Sequence, residues 1–352
     1  MIALLIAGAI AFSCTVVGTP FLIRVLEARG IGQQIRDDGP FVHPHAAKAG
    51  TPTMGGIAVV SAATLGYLAA HIRSEQIKFA RSGLTLMALV VGLAIVGFVD
   101  DYLGARRGRN LGLRKRGKMA GQLVVASGFA LIALNWVNTS TKLSFTRSFD
   151  LDLGATLWVV LAIFVITGGS NAVNLTDGMD GLAAGASTLV FSAFVIIAFW
   201  QFRHPEVYGV GQPGAAANAI DLSVVAAAMM GACAGFLWWN AAPARVFMGD
   251  TGSLAIGGAI AGLSLLTNTI LLLPILGGLY VLETLSVIAQ VISFRMFRRR
   301  VLLMAPLHHH FEVGGWPEFT VIVRFWLLGG LCVSLGLGLF YADFIRIPGV
   351  IE

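Results

Sequence analysis

Asp250 stands in Asn240–Leu254, NAAPARVFMGDTGSL, a short polar interruption between two apolar runs. Gly249 and Gly252 let the backbone come close to a ligand, and Thr251 and Ser253 are suited to cap a following helix, leaving N–H groups facing an anion. A carboxylate beside such a helix start suits Mg²⁺ shared with a phosphate, because that ion takes one or two carboxylates plus substrate oxygens. Taken alone, the stretch reads equally well as a capped turn joining two membrane helices. Its neighbours in the chain shift the balance.

Asp100 and Asp101 follow the apolar run LVVGLAIVGFV. Adjacent acids at an apolar boundary are poorly solvated and repel each other, so both ionise only with a cation nearby. The basic stretch Arg106–Lys118 offers that cation, or a contact for anionic lipid headgroups. A metal or proton-transfer role is preferred over acids that merely solvate a helix end. In Lys48–Gly56, KAGTPTMGG, Gly50, Gly55 and Gly56 with Thr51 and Thr53 form a backbone-rich anion contact beside the positive charge of Lys48. In Asn171–Gly181, NAVNLTDGMDG, the three-residue spacing of Asn174, Asp177 and Asp180 predicts one face of a helical turn. A calcium loop is disfavoured there, since the twelve-residue pattern with its terminal Glu is absent.

The segment APLHHHFE places His308, His309 and His310 in a row. Imidazoles bind metal, contact phosphate or orient a carboxylate. Consecutive side chains diverge, so the three do not all reach one ligand, and no partner Cys or spaced His supports tetrahedral zinc. Glu283 is an acid within an apolar run, which makes it a functional suspect. With Thr284, Ser286 and Gln290 beside it, a hydrogen-bonded internal role is at least as good, and no chemistry is assigned to it.

The elements that must position these residues are membrane helices. The 352 residues are 57% hydrophobic and only 12% charged, against about 25% charged in soluble domains. Apolar runs near spanning length occur at 2–25, 55–72, 83–99, 119–137, 155–173, 182–202, 219–239, 253–268, 270–294 and 321–342. They predict an all-α polytopic protein of about ten transmembrane helices, one domain over 1–352, with Pro274 breaking or tilting the start of the ninth. The first run lacks the basic start and small-residue cleavage site of a signal peptide and is read as a helix. Most of the 24 Lys and Arg residues fall in 24–54, 100–118, 240–252 and 295–324. By the positive-inside rule that face is cytoplasmic, holds the polar motifs, and leaves both termini periplasmic or extracellular. The net charge of +6 therefore reports orientation and not nucleic-acid binding. Cys14, Cys233 and Cys332 lie singly in apolar runs and read as packing residues. Gly258 and Gly262 likewise read as helix-packing residues.

KAGTPTMGG, DDYLG, NAVNLTDGMDGLA, NAAPARVFMGDTGSL and APLHHHFE, in this order and on one face, resemble the polyprenyl-phosphate N-acetylhexosamine-1-phosphate transferases. Within that superfamily KAGTPTMGG and PLHHHFE are most similar to the phospho-N-acetylmuramoyl-pentapeptide transferases. The resemblance runs from about Arg36 to Glu312. It implies transfer of phospho-MurNAc-pentapeptide from UDP-MurNAc-pentapeptide to undecaprenyl phosphate, giving lipid I and UMP, with Mg²⁺, in the plasma membrane of a bacterium. It also implies a homodimer. Residue by residue, Asp250 matches the magnesium ligand, with Asp100 and Asp101 as the other essential acids and Asp100 the base acting on the lipid phosphate. Lys48 matches a lysine at the phosphates. Asn174, Asp177, Asn240 and Phe247 match the uridine side, Phe247 stacking on uracil. His308 matches the first His of its motif and Lys118 a basic residue of the family, with Thr53 in the phosphate-facing stretch. Two features depart from the pattern: Gly104 is neutral where a Lys is common, and the loop DDGPFVHPHAAKAG is two residues longer than usual between Gly-Pro and Lys, so that either His43 or His45 matches the family's single His and neither is carried over.

Three other functions compete. A transporter would place ionisable groups near the membrane midplane on broken helices, whereas here only Glu283 lies well inside an apolar run. A transferase using UDP-N-acetylglucosamine shares the acidic motifs but not this His motif. A lipid-binding relative without activity would not need all three acids.

Overall fold

Long apolar runs become helices because only a helix satisfies every backbone N–H and C=O within the segment when lipid replaces water. The computed structural model describes residues 1–32, 50–73, 78–106, 112–209 and 214–347. In chain order the helices are α1 (Ile2–Ala28), α2 (Gly56–Arg73), α3 (Arg81–Arg106), α4 (Lys115–Ile132, extended by a π-helical turn Ala133–Val137), α5 (Gly154–Thr176), α6 (Leu182–Arg203), the short α7 (Pro205–Tyr208), α8 (Ala215–Asn240), α9 (Gly249–Leu266), the short α10 (Leu273–Leu276), α11 (Gly278–Phe297), the short α12 (Leu307–Val313) and α13 (Glu318–Ile345). Among the described residues nine helices are long and apolar enough to cross a membrane, and α2 is a shorter apolar tenth. The protein is thus a multi-pass membrane protein.

The spans divide by burial. In α8 and α9, 83% of the central window is enclosed by protein, against 17% in α11. α8 packs between α1, α2 and α6, and α9 packs on α3 and α5. The outer helices turn side chains such as Val17, Phe164 and Leu331 outward, as a lipid-facing surface requires. Close approach at the centre rests on small residues. A Cβ on Gly56 of α2 would fall on the backbone of Gly252 in α9, so the two helices meet there in near contact.

One sequence expectation is borne out and one is corrected. The ninth apolar run breaks at its start, as expected of Pro274: that residue sits in the first turn of α10, which ends at Leu276 and is capped by Gly277 before α11 begins. Proline lacks an N–H and is favoured at a helix start, where no intrahelical partner is lost, although Pro20 is accommodated inside α1. The chain is not wholly helical. Lys142–Ser144 and Ser148–Asp152 pair as an antiparallel hairpin, β1 and β2. Leu143, Phe145, Phe149 and Leu151 alternate with polar residues in the period-two pattern of a strand. The hairpin is pinned to the end of α13, where Asp343 accepts from Arg147 at 2.8 and 3.0 Å and from Thr146 at 2.6 Å. This is the end of the bundle away from the acids: Ser82, at the start of α3, lines the same hollow as Thr146 and Arg147, and about 27 Å of helix separates it from Asp100.

Candidate active site

Four helices deliver one side chain each to a single point. Asp100 leaves the last turns of α3, Lys118 the first turn of α4, Asn174 the last turn of α5 and Asp250 the first turn of α9. Lys118 Nζ donates to one carboxylate oxygen of Asp250 and Asn174 Nδ2 to the other. Asn174 also donates to Ser253 Oγ at 2.9 Å. Lys118 Nζ lies 4.0 Å from Asp100 Oδ2, so one ammonium serves two carboxylates. Asp100, Lys118 and Asp250 all keep between 16% and 21% of their side-chain surface open to ligand. The cation expected from the Arg106–Lys118 stretch is therefore Lys118.

Asp101 has a different task. Its carboxylate accepts the N–H of Asp250 at 3.0 Å, the N–H of Thr251 at 2.9 Å and the Thr251 hydroxyl at 2.7 Å. The cap of α9 thus comes from α3, not from Thr251 or Ser253 as the local sequence suggests. The preceding residue, Met248, makes no side-chain cap, and Ser253 Oγ turns back to donate to the Gly249 carbonyl. A carboxylate at a helix N-terminus satisfies orphan N–H groups and complements the helix dipole. Gly249 has φ of +71°, and a Cβ there would crowd Asp101 Oδ2, so this turn requires glycine.

Oxygens of Asp100, Asp101 and Asp250 lie within 4.8 Å of one another. Hard carboxylate oxygens at this spacing fit a divalent cation. All three are already engaged: Asp101 by three donors, Asp250 by Lys118 and Asn174, and Asp100 Oδ1 by the Leu113 N–H at 2.8 Å, so an ion here would share these oxygens with their donors.

The motif KAGTPTMGG closes over this point through backbone pairing. Phe247 N–H donates to the Pro52 carbonyl, Gly55 N–H to the Phe247 carbonyl and Gly56 N–H to the Met248 carbonyl, each at 2.8 Å. Thr53 lies half-buried on that extended stretch, and Phe247 is half-buried opposite it. Lys48, with Arg36, His43 and His45, lies outside the described residues.

Asn240 is 2% exposed, and both its amide oxygen and its amide nitrogen are engaged within the chain. It donates to the Val246 carbonyl at 2.8 Å and accepts from Gly181 N–H at 3.1 Å, closing the loop that leads to Asp250. Asn174, Asp177 and Asp180 do not share a helical face, because α5 ends at Thr176 with Asp177 as its C-cap. Asp180 turns inward and accepts from Ala244 N–H at 2.9 Å. Asp177 stays near the acids. Burial, together with the charges of Asp250, Asp101 and Asp180, pushes its carboxyl well above the usual carboxylate range.

The histidines diverge, as their succession requires. His308 is fully buried in α12, with Nδ1 3.1 Å from Glu283 Oε1, which is also fully buried. A Cβ on Gly178, one residue beyond Asp177, would strike the His308 ring. His308 is thus wedged between Glu283 and the Asp177 loop. His309 pairs with Glu312 at 2.9 Å, and His310 accepts from Leu303 N–H at 3.1 Å. The role of Glu283 as the partner of His308 was not readable in sequence, since the two lie on separate helices.

The model of glycosyl transferase family 4 matches residues 83–268, and signature 1 of the phospho-N-acetylmuramoyl-pentapeptide-transferases matches residues 48–60. A protein of that name from Streptomyces griseus is 52% identical over 351 residues, covering 96% of this chain and 98% of its own. One from Streptomyces coelicolor is 51% identical over 356 residues, covering 96% and 98%. One from Frankia alni is 50% identical over 349 residues, covering 97% and 98%.

Proposed function

Because the chain belongs to the phospho-N-acetylmuramoyl-pentapeptide-transferases, we propose that it transfers phospho-MurNAc-pentapeptide from its UDP carrier to undecaprenyl phosphate, forming lipid I and UMP for peptidoglycan. The observation that carries the chemistry is the convergence of Lys118 and Asn174 on Asp250, beside Asp100, at the start of α9.

In the proposed reaction an oxygen of the lipid phosphate bonds to the phosphorus carrying MurNAc while the pyrophosphate bond to UMP breaks. Both partners are anions, so neutralisation and alignment govern the rate. Asp250 would hold Mg²⁺, which would supply positive charge to the pyrophosphate. Asn174 orients Asp250 for that task. Asp100 is the acid assigned to the proton of the lipid phosphate, and Lys118 and Lys48 supply positive charge to the phosphates. Asp101 acts by fixing the first turn of α9. Thr53 lies on the phosphate side. Asp177 and Phe247 are assigned to the uridine, and Asn240 supports that wall through the loop it ties. His308 positions the Asp177 loop.

Arg24, Arg106, Lys118, Arg245 and Arg299 all lie toward the acid end of the bundle, which supports placing that end in the cytoplasm of a bacterium, with the termini outside. The lipid acceptor explains why a nucleotide site is built from membrane helices. A homodimer is proposed from the resemblance alone.

The test is radiolabel transfer to undecaprenyl phosphate by purified protein, with Mg²⁺ and with EDTA, for the native chain and Asp250→Ala. Magnesium-dependent product in the first and almost none in the second is expected. Consumption of UDP-N-acetylglucosamine instead would overturn the donor assignment.

A further inference from the structure

The loop after α11 carries charge that the acid cluster does not use. Arg295, Arg298, Arg299 and Arg300 are all exposed, and among the described residues none of the ion pairs includes any of them. Four cations in six residues, with no carboxylate to balance them, attract an anion.

The loop is held, not loose. Gln290 Oε1 accepts the N–H groups of Val301 and Leu302 at 3.0 and 2.9 Å, while its Nε2 donates to the Leu302 carbonyl at 3.0 Å. Ser293 Oγ donates to the Arg299 carbonyl at 2.8 Å, and Leu303 N–H ties the far side to His310. Arg298, at φ of +54°, turns the chain out of α11. The outcome is a shallow hollow in which Arg299 and Arg300 face the same space as Phe297, Val301 and Ser293. Phe297 and Val301 are 66% and 63% exposed, and Met296 and Leu303 continue the apolar surface.

This pairing of guanidinium and bare hydrocarbon sits where a membrane-spanning helix ends, at the depth of lipid headgroups. Arginine there offers a planar fork that matches phosphate oxygens. We propose that the hollow is a docking site for an acidic phospholipid, its phosphate between Arg299 and Arg300 and its acyl chains along Phe297 and Val301. Charge complementarity selects this occupant. A zwitterionic lipid brings its own cation against the unpaired arginines, and a free phosphate leaves the apolar wall uncovered. The site does not depend on the transferase reading.

The full chain, reconstituted in nanodiscs of phosphatidylcholine with or without phosphatidylglycerol, provides the test. Native mass spectrometry should show phosphatidylglycerol retained preferentially, with retention roughly thirtyfold weaker in Arg299→Gln/Arg300→Gln. Phenylglyoxal labelling of the unaltered protein, read by peptide mass, should find Arg299 and Arg300 protected in phosphatidylglycerol and reactive in phosphatidylcholine alone; this arm decides the question if the double variant does not fold. Equal retention of both lipids, equal labelling in both, or unchanged preference in a folded double variant would overturn the proposal. Displacement of the lipid by millimolar inorganic phosphate would also overturn it, in favour of a simple anion site.

Discussion

Asp101 Oδ2 accepts both the backbone N–H of Thr251, at 2.9 Å, and its hydroxyl, at 2.7 Å. A carboxylate from one membrane helix thereby caps another, and the residue it fixes next in line is Asp250. Asp101→Ala leaves the N–H groups of Asp250 and Thr251 unpaired and is expected to cost about 1–2 kcal/mol of stability along with activity. Thr251→Val removes only the hydroxyl bond and should cost about 1 kcal/mol. Asp250→Ala should abolish product formation without lowering the unfolding temperature. If Asp101→Ala keeps the unfolding temperature yet loses activity as fully as Asp250→Ala, Asp101 acts in the chemistry and not as a cap.

Lys118 donates to Asp250, the carboxylate proposed to hold magnesium, so it both neutralises that group and competes with the ion. Lys118→Met is expected to lower turnover by roughly a hundredfold, as loss of one preorganised charge does elsewhere. The same variant should bind Mg²⁺ about tenfold more tightly, because a like charge has left the site. Titration of Mg²⁺ by calorimetry reads the second effect independently of activity. Weaker binding would contradict it.

His308 and Glu283 form a pair with no exposed surface. Removing one partner leaves a buried polar group unbalanced, at a cost of about 3–5 kcal/mol, whereas replacing both by apolar groups is far less costly. Glu283→Leu and His308→Leu should therefore each destabilise more than the double variant. Thermal unfolding of the three proteins settles the order, and additive losses would refute the coupling.

Asp177 supplies a pH dependence. Its carboxyl is raised from the ordinary 3.8 by burial first and then by Asp250, Asp101 and Asp180. The folded chain holds this proton more tightly than the unfolded one, so the associated stability is full below 3.8 and declines as pH rises through the raised value. In EDTA, Asp177→Asn should gain on the native chain progressively above about pH 4. A difference in unfolding temperature that does not change with pH would count against it.

The apolar runs are legible in one dimension because a membrane helix is written as a contiguous stretch, and acids at the ends of such stretches stand out against it. That is why the spans and the four motifs containing Asp100, Asn174, Asp250 and His308 could be read directly. The hairpin at 142–152 was legible too, in its period-two alternation, but was overshadowed by the long helices around it.

Roles, as distinct from positions, depended on partners far away in the chain. Asn240 and Asp180 have residue types suited to a ligand, yet the fold uses both to close the loop before Asp250, because their buried backbone partners must be satisfied. Thr251 has the residue type of a cap and receives one from Asp101 instead. Glu283 found its meaning only when α12 brought His308 against it. By itself the sequence determined the spans and the polar motifs at their ends, since hydropathy acts locally. Which of those motifs' residues converge on Asp250 and which hold the scaffold was decided by tertiary structure, because a hydrogen bond is assigned only when helices from distant parts of the chain are packed together.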